Sequence, residues 1–394
     1  MRLLYLSFAG GGLDTNVRVL APEFVRAGHC VSILYIHPPG ERIPIERERS
    51  DAGYSIYHTI SGAWHYYASR LTLGRSGLPR LVRSWEEARA LGKIVRQIKR
   101  TEGLDLVELP EVFVTPSQLD GVPYAVRLHS AAWTWREMLS EPTGSADRIE
   151  KRLEAYVLRR ASAISSPSVR LANYVRQTCR VDRPVTLIPY PVDTTQFTPG
   201  TGRAGPPIVL YVGRVEKRKG ADVLMHAIPQ VGREHPNCEF VFAGRVCDDV
   251  RELAQQMEKQ MPERVRFLGV VPRGELVGWY QRASIFVAPS RWDNSPNTVY
   301  EAVACGTPVV ASGVGGIPEL IDDETGLLIP PGDPMALSRA LVALLDDPER
   351  RDSMGRRGRE KALALYSLEK ILISTLEFYN QALVRHDAQM ELQK

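Results

Sequence analysis

Short apolar runs alternate along nearly all 394 residues with segments in which apolar side chains return every three or four positions. The runs read as buried strands and the 3.6-residue period as amphipathic helices. In the first half the pattern predicts strands near 2–8, 30–36, 104–108, 123–128, 162–165 and 185–188, with helices near 15–27, 84–100, 147–160 and 168–176. The second half restarts it. PIVLYVG at 207–213, CEFVFAG at 238–244, VRFLG at 265–269, SIFVAP at 284–289, TPVVAS at 307–312 and GLLIP at 326–330 read as strands with helical stretches between them. Helices near 333–347, 349–364 and 367–385 close the chain, and the final ELQK reads as a frayed end. Strands alternating with helices form parallel sheets covered on both faces. The fold class is therefore α/β, with two doubly wound, Rossmann-like domains.

Between the halves lies IPYPVDTTQFTPGTGRAGPP, with five prolines and three glycines in 20 residues and no apolar period. It reads as a linker. The boundaries that follow are residues 1–188 for the first domain, 189–206 for the linker and 207–366 for the second domain. Residues 367–394 form a terminal helix packing back toward the first domain. Two such domains imply a cleft facing the carboxyl ends of both sheets, where open α/β folds bind ligands.

Composition narrows the class. With 44% hydrophobic and 24% charged residues the chain is an ordinary soluble globular protein, and a net charge of +4 is too small and too mixed to make nucleic acid its main partner. The first 200 residues hold 26 basic against 20 acidic side chains, and the remainder 24 against 26. Cys30, Cys179, Cys238, Cys247 and Cys305 are odd in number and include no C-x-x-C pair, so they read as reduced thiols of a cytoplasmic protein. The N-terminal apolar run meets glycines and Asp14 after a few residues, as a first core strand would, and no stretch approaches 18 uninterrupted apolar residues.

Three stretches carry chemistry. Ala9-Gly10-Gly11-Gly12-Leu13-Asp14 follows the first strand and opens a helix near Thr15, so backbone amides can approach an anion at a helix N-terminus. A dinucleotide fold would place a third glycine where Thr15 stands and an acid after the second strand, where Ile36-His37-Pro38 stands. That argues against an NAD enzyme. The second domain opens with Gly213-Arg214-Val215-Glu216-Lys217-Arg218-Lys219-Gly220, in which Arg214 and Lys219 are two cations suited to a diphosphate, and Lys217 and Arg218 read as solvated. The third stretch is Ser290-Arg291-Trp292-Asp293-Asn294-Ser295-Pro296, followed by Asn297, Thr298, Val299, Tyr300 and Glu301. Ser295 reads as an N-cap and Pro296 as the first helical residue, leaving the amides of Asn297, Thr298 and Val299 free. Glu301 then lies in the second helical turn, reading either as a surface residue or as a ribose acceptor.

Gly11-Gly12, His129 after a strand, Arg214 and Lys219 in G-R-x-x-x-K-G, and the acids Asp293 and Glu301 before Ala304-Cys305-Gly306-x-Pro308 together resemble glycosyltransferase family 4. The similarity spans nearly the whole chain. It implies a GT-B fold, an acceptor-side first domain, a donor-binding second domain and retaining transfer from a nucleotide-diphosphate sugar. It further implies that Arg214 and Lys219 neutralise the diphosphate, that Glu301 holds the ribose, that Asp293 and His129 reach the donor sugar, and that Gly11 and Gly12 offer backbone. The sequence departs from the family where Asp293 replaces a glutamate, shortening its reach by roughly 1.5 Å, where Asp14 replaces another, and where the region around Gly244 reads AGRVCD, with one glycine where a second is usual.

No Asp-x-Asp occurs and no histidine cluster has metal-ligand spacing, so no metal and no cofactor is expected beyond the nucleotide sugar, for which UDP and GDP are both compatible. A GT-B phosphorylase with a pyridoxal lysine, a nucleotide-sugar epimerase and a non-catalytic nucleotide-sugar scaffold are the alternatives. Residues 66–100 hold nine basic residues and only Glu86 and Glu87 as acids, with Leu81, Trp85, Ala88, Leu91, Val95 and Ile98 on one helical face. Arg70, Arg75, Arg80 and Arg83 then face solvent, a phosphorylated acceptor or an anionic inner membrane surface.

Overall fold

The computed structural model describes residues 1–7, 12–37, 47–62, 78–111, 114–130, 132–202 and 205–391. They form two compact units, Met1–Ile188 with Ile371–Lys394, and Pro189–Lys370.

The first unit is built on β1 (Arg2–Ser7), β2 (Cys30–His37), β3 (Arg47–Arg49), β4 (Ser55–Ile60), β5 (Leu106–Leu109), β6 (Tyr124–Arg127), β7 (Ala163–Ser166) and β8 (Thr186–Leu187). Its helices are α1 (Gly12–Arg26), α2 (Leu78–Thr101), α3 (Ala132–Met138), α4 (Ser145–Arg160) and α5 (Val169–Cys179). The sheet order is β3-β4-β2-β1-β5-β6-β7-β8, with only β3–β4 antiparallel. The order reverses at β1, which pairs with β2 on one side and β5 on the other. Continuous apolar strands follow from helices on both faces. Leu91, Val95 and Ile98 of α2 cover one face, and Val17, Leu20 and Phe24 of α1 cover the other.

The second unit holds β9 (Ile208–Val212), β10 (Glu239–Ala243), β11 (Val265–Phe267), β12 (Ile285–Ala288), β13 (Val309–Ser312) and β14 (Gly326–Ile329). Its helices are α6 (Ala221–Glu234), α7 (Arg251–Gln260), α8 (Arg273–Arg282), α9 (Asn297–Ala304), α10 (Ile317–Leu320), α11 (Pro334–Leu345) and α12 (Pro348–Lys361). The fully parallel order β11-β10-β9-β12-β13-β14 reverses between β9 and β12, the switch point at which such sheets bind ligands. The last helix, α13 (Leu368–Glu391), places Ile371, Phe378, Tyr379 and Ala382 in the first unit's core.

Several expectations change. α1 begins at Gly12, three residues early, so Asp14 lies in its first turn rather than in the loop before it. Strands β3 and β4 have no counterpart in the sequence reading, because β3 is a wholly exposed Arg-Glu-Arg edge and His58 and Thr59 interrupt the apolar signal of β4. The apolar face of α2 excludes Trp85, which is 44% exposed while Ala88, Leu91, Val95 and Ile98 are buried. The proline-rich stretch 189–206 is no free tether: Tyr190, Val192 and Phe197 are buried in the second unit, and the Val192 amide donates to the Tyr366 carbonyl at 2.9 Å. All five cysteines are free thiols.

Candidate functional site

In the second unit the site is assembled from the loops that leave the carboxyl ends of β9, β12 and β13. Gly213 ends β9 at φ 141° and its amide donates to the Ala243 carbonyl at 2.9 Å. Gly244, at φ 149°, packs so closely that a Cβ on it would lie 1.9 Å from the Gly213 carbonyl oxygen, so no side chain fits there. The turn that follows presents Arg214, half-exposed, with Nη1 3.2 Å from Glu216 Oε2. Glu216 also binds Arg218 at 2.9 Å, so Arg218 is held by an intrachain partner rather than left to solvent.

Gly220, at φ 71°, opens α6 against the end of β12, where a Cβ would lie 1.8 Å from the Pro289 carbonyl oxygen. That contact brings the two loops together, and Arg291 locks them. Its guanidinium binds both oxygens of Asp222 at 2.6 and 2.7 Å, and its amide donates to the Arg218 carbonyl at 2.9 Å. Bidentate pairs of this kind fix direction as well as distance. The result is that Lys219 donates to Asp293 Oδ2, joining the loop after β9 to the loop after β12 across the switch point.

Asp293 is fixed from its other side too. Gly315, at φ 54° in the loop after β13, packs where a Cβ would lie 1.7 Å from the Asp293 carbonyl oxygen, and the Gly316 amide donates to the Asn294 carbonyl at 2.7 Å. This Gly313–Gly316 turn escaped the sequence reading, although glycines at a strand end carry the same signal as those after β1 and β9.

Helix α9 corrects the expected cap. It begins at Asn297 with Pro296 in the cap position, and Ser295 Oγ lies 2.7 Å from Tyr300 Oη instead of capping. The Val299 amide is not free, since it donates to the Pro296 carbonyl at 3.0 Å. Glu301 is buried, not a surface residue: Arg273 Nη2 lies 2.9 Å from Oε1 and Tyr280 Oη donates to Oε2 at 2.9 Å. Burial holds its pKa above the ordinary carboxylate range, against the lowering effect of the Arg273 charge and the Tyr280 hydrogen bond. Both partners come from α8, whose side chains the sequence reading did not connect to α9.

The first unit brings another group to its own sheet's carboxyl edge. Gly11 lies outside the described residues and Gly12 is the first residue of α1. Asp14 Oδ1 accepts from Arg18 Nε at 3.0 Å and from the Tyr35 hydroxyl. His129 follows β6, and its imidazole pKa is pushed down to about 3 by burial and by the neighbouring Arg127 charge, so the ring is neutral at physiological pH. Glu111, two residues beyond β5, accepts backbone hydrogen bonds from His129 and Ser130 at 2.7 to 2.8 Å. The sequence reading passed over it. Arg70 and Arg75 lie outside the described residues, whereas Arg80 binds Asp147 at 3.0 Å and Arg83 binds Glu87 at 2.8 Å.

Among the described residues no group of three or more His, Cys, Asp or Glu side chains could hold a metal ion, and no helix is long and apolar enough to cross a membrane.

The family model described as Glycosyltransferase Family 4 matches residues 10–196, and that described as Glycosyl transferases group 1 matches residues 206–347. The chain is 24% identical over 408 residues to a glycogen synthase of Mycobacterium tuberculosis, covering 96% of this chain and 94% of that protein. It is 30% identical over 256 residues to the lipopolysaccharide core biosynthesis mannosyltransferase LpcC of Rhizobium leguminosarum, covering 61% of this chain and 70% of that protein. The sucrose-phosphate synthase of Thermosynechococcus elongatus superposes with a TM-score of 0.78 at 24% identity, over 98% of this chain and 99% of that one, and so shares its fold. Matched in both halves and in the same order, the chain belongs to glycosyltransferase family 4 and is a hexosyltransferase of the GT-B fold.

Proposed function

We propose that the protein moves a hexose from a nucleotide-diphosphate sugar to an acceptor, with retention at the anomeric carbon and without a metal ion. The observation that carries this reading is the Lys219–Asp293 ion pair at the switch point of the second sheet, with Arg214 on the same loop after β9. Lys219 and Arg214 neutralise the diphosphate, and Asp293 accepts hydrogen bonds from donor sugar hydroxyls. The Asn297 and Thr298 amides at the start of α9 add positive potential. Glu301, steadied by Arg273 and Tyr280, keeps lone pairs for the ribose hydroxyls. His129, with its neutral ring, contacts the donor sugar as a hydrogen-bonding group rather than as a charge.

In the transfer step the acceptor hydroxyl oxygen bonds to the anomeric carbon as the bond from that carbon to the β-phosphate oxygen breaks. The electron pair leaves with the nucleoside diphosphate, and the hydroxyl proton passes to the departing phosphate oxygen on the same face of the sugar. Charge grows on that oxygen in the transition state, and fixed cations there are the largest catalytic contribution these residues can make. The two guanidinium and ammonium groups take the place that a divalent ion fills in other phosphate chemistry.

The reaction is placed in the cytoplasm, where nucleotide sugars are the available donors. Thermal unfolding in the presence of UDP, GDP, UDP-glucose, GDP-mannose and related sugars tests the reading, since a ligand that binds only the native state raises Tm. A donor and its nucleoside diphosphate are expected to protect together, and transfer is expected to survive excess EDTA with the product anomer matching the donor. No protection by any nucleotide would overturn the assignment, and loss on chelation with recovery by magnesium would overturn its metal-free form.

A further inference from the structure

Two successive backbone amides at the end of β6, those of His129 and Ser130, point at one carboxylate. Glu111 Oε1 accepts from the His129 amide at 2.7 Å and from the Ser130 amide at 2.8 Å, and Oε2 accepts from the His129 amide at 2.8 Å. Consecutive amides converging on an anion form a nest, a geometry that elsewhere holds phosphate. Here the anion comes from the chain itself. It comes from the neighbouring strand, because β5 and β6 pair with Leu109 beside Val126, and Glu111 and His129 each lie just past those ends.

The turn they form is costly. Ser130 sits at φ 111°, a region that suits glycine and strains any residue with a Cβ. Such backbone persists only where its surroundings over-determine it, and the charge-assisted bonds that Glu111 accepts are contacts of that kind. Ser130 follows the residue whose side chain has a functional reading, so the strain is stored beside the imidazole.

The His129 ring, neutral through burial and the Arg127 charge, can act only through hydrogen bonds, which depend steeply on direction. A neutral donor or acceptor that is misdirected contributes nothing. The transfer step makes no direct use of Glu111, which fits a group acting through another residue.

We propose that Glu111 is the positioning residue of the donor-sugar contact: its carboxylate holds the strained His129–Ser130 turn and thereby sets the direction of the His129 imidazole. The proposal rests on the reading of His129 as the sugar contact, and two separate measurements keep the two ideas apart. The direction of the ring is read without any ligand, by ¹⁵N spectra of histidine-labelled full-length protein, the His129 resonances being those lost in His129→Ala. Function is read as hydrolysis of UDP-glucose or GDP-mannose, whichever protects in thermal unfolding, with affinity for UDP and GDP as a control.

Glu111→Ala is expected to displace the His129 resonances and to cut donor hydrolysis about thirtyfold, while UDP or GDP affinity stays within about twofold. The double variant Glu111→Ala with Ser130→Gly is expected to recover most of both, because glycine adopts the positive φ without a carboxylate to enforce it. A merely structural role for Glu111 would not be rescued by removing one Cβ from the turn. Glu111→Gln keeps one acceptor oxygen and loses the charge, so a loss of only about fivefold is expected, and it carries the test should Glu111→Ala fail to fold. Unmoved His129 resonances in Glu111→Ala and Glu111→Gln, or a double variant no better than the single, would overturn the positioning role. Displaced resonances with unchanged hydrolysis would uphold it and overturn instead the reading of His129 as a sugar contact.

Discussion

Lys219 and Asp293 stand 74 residues apart in sequence and form an ion pair that spans the switch point of the second sheet. The cation read as a phosphate ligand and the acid read as a sugar ligand are each other's partner. A diphosphate arriving at Lys219 therefore competes with a carboxylate already there. Removing that competitor should help the nucleotide and harm the reaction. Ion pairs of this partly exposed kind are worth about 0.2 to 1 kcal/mol, so Asp293→Asn should raise nucleoside-diphosphate affinity by up to about fivefold in calorimetry while lowering transfer about a hundredfold. Asp293→Glu should also slow transfer, because Gly315 packed against the Asp293 carbonyl leaves the loop no room to retreat. Wild-type turnover in Asp293→Asn would remove Asp293 from the sugar site.

The cations themselves should behave in the opposite way. Charge-assisted bonds to phosphate are worth about 1.5 to 3 kcal/mol, so Arg214→Ala and Lys219→Ala should each weaken UDP or GDP binding by about tenfold or more. Lys219→Ala strands the buried Asp293 carboxylate and should lower Tm, whereas Arg214→Ala should leave it nearly unchanged. Arg214 is half-exposed, and its partner Glu216 keeps Arg218 at 2.9 Å, so no buried charge is orphaned. Unchanged affinity in both variants would move the diphosphate elsewhere.

How much of this was legible in the sequence depends on whether the signal was local. The six strands of the second unit are short, mostly apolar runs and stood out as such, while β3 carries only Arg-Glu-Arg and no apolar pattern could reveal it. Arg214, Lys219, Asp293 and Glu301 were visible because glycines, charges and a helix start lie next to them in the chain. Their partners were not. Arg291 binds Asp222 across 69 residues and Glu111 binds the His129 amide across 18, and nothing in the local sequence marks either contact. Glu301 has the helical spacing of a surface acid, and only the packing of α8 against α9 puts it beside Arg273 and Tyr280.

A pH dependence follows from Glu111. Burial pushes its pKa up from the usual 4.5 to about 6, against the lowering effect of the Ser130 and His129 amides. The native state then binds this proton more tightly than the unfolded chain does, so the group favours the native state below pH 4.5 and that advantage is lost as pH rises through 6. The shift corresponds to about 2 kcal/mol, and the stability of Glu111→Gln relative to wild type in urea should improve by that amount between pH 4.5 and pH 7. Transfer should run the other way, rising with an apparent pKa near 6 as the carboxylate ionises and grips the turn, and the rise should flatten in Glu111→Gln. Parallel stability curves for the two proteins would show that Glu111 titrates as an ordinary surface acid.

The terminal helix is held by a buried network. Arg127 binds both oxygens of Glu108 at 3.0 Å, Tyr379 Oη of α13 donates to Glu108 Oε2 at 2.7 Å and lies 2.8 Å from Tyr5 Oη, and both members of the ion pair are almost wholly buried. Removing one partner of a buried pair strands the other, at about 3 to 5 kcal/mol. Arg127→Met should therefore destabilise the protein by that amount. Tyr379→Phe, which deletes one donor to a buried carboxylate, should cost about 1 to 3 kcal/mol. Urea unfolding midpoints measure both, and a loss below 1 kcal/mol in Arg127→Met would show that water reaches Glu108.

Arg80 and Arg83 are engaged within the chain by Asp147 and Glu87. The next turns of α2 differ: Arg89, Lys93 and Arg96 make no ion pair among the described residues, and they line a groove of about 480 Å³ with Trp85 and Ile60, each 44% exposed. The Arg89 guanidinium lies 4.7 Å over the Trp85 ring. Exposed tryptophan beside unpaired cations is the composition that settles at a lipid headgroup layer, where each cation contributes about 1 kcal/mol against anionic lipid. Three cations should thus give weak binding that fades with salt. Sedimentation with vesicles of mixed phosphatidylcholine and phosphatidylserine at low ionic strength should carry down the wild-type protein. The double variant Arg89→Glu with Lys93→Glu should stay in solution, its fold and nucleotide affinity intact, because neither residue is among those read as holding the donor. Trp85→Ala should bind less than wild type but keep the salt dependence, since it removes the apolar contact and leaves the charges. Absence of binding by the wild-type protein, or binding that survives both charge reversals, would exclude α2 as a membrane contact.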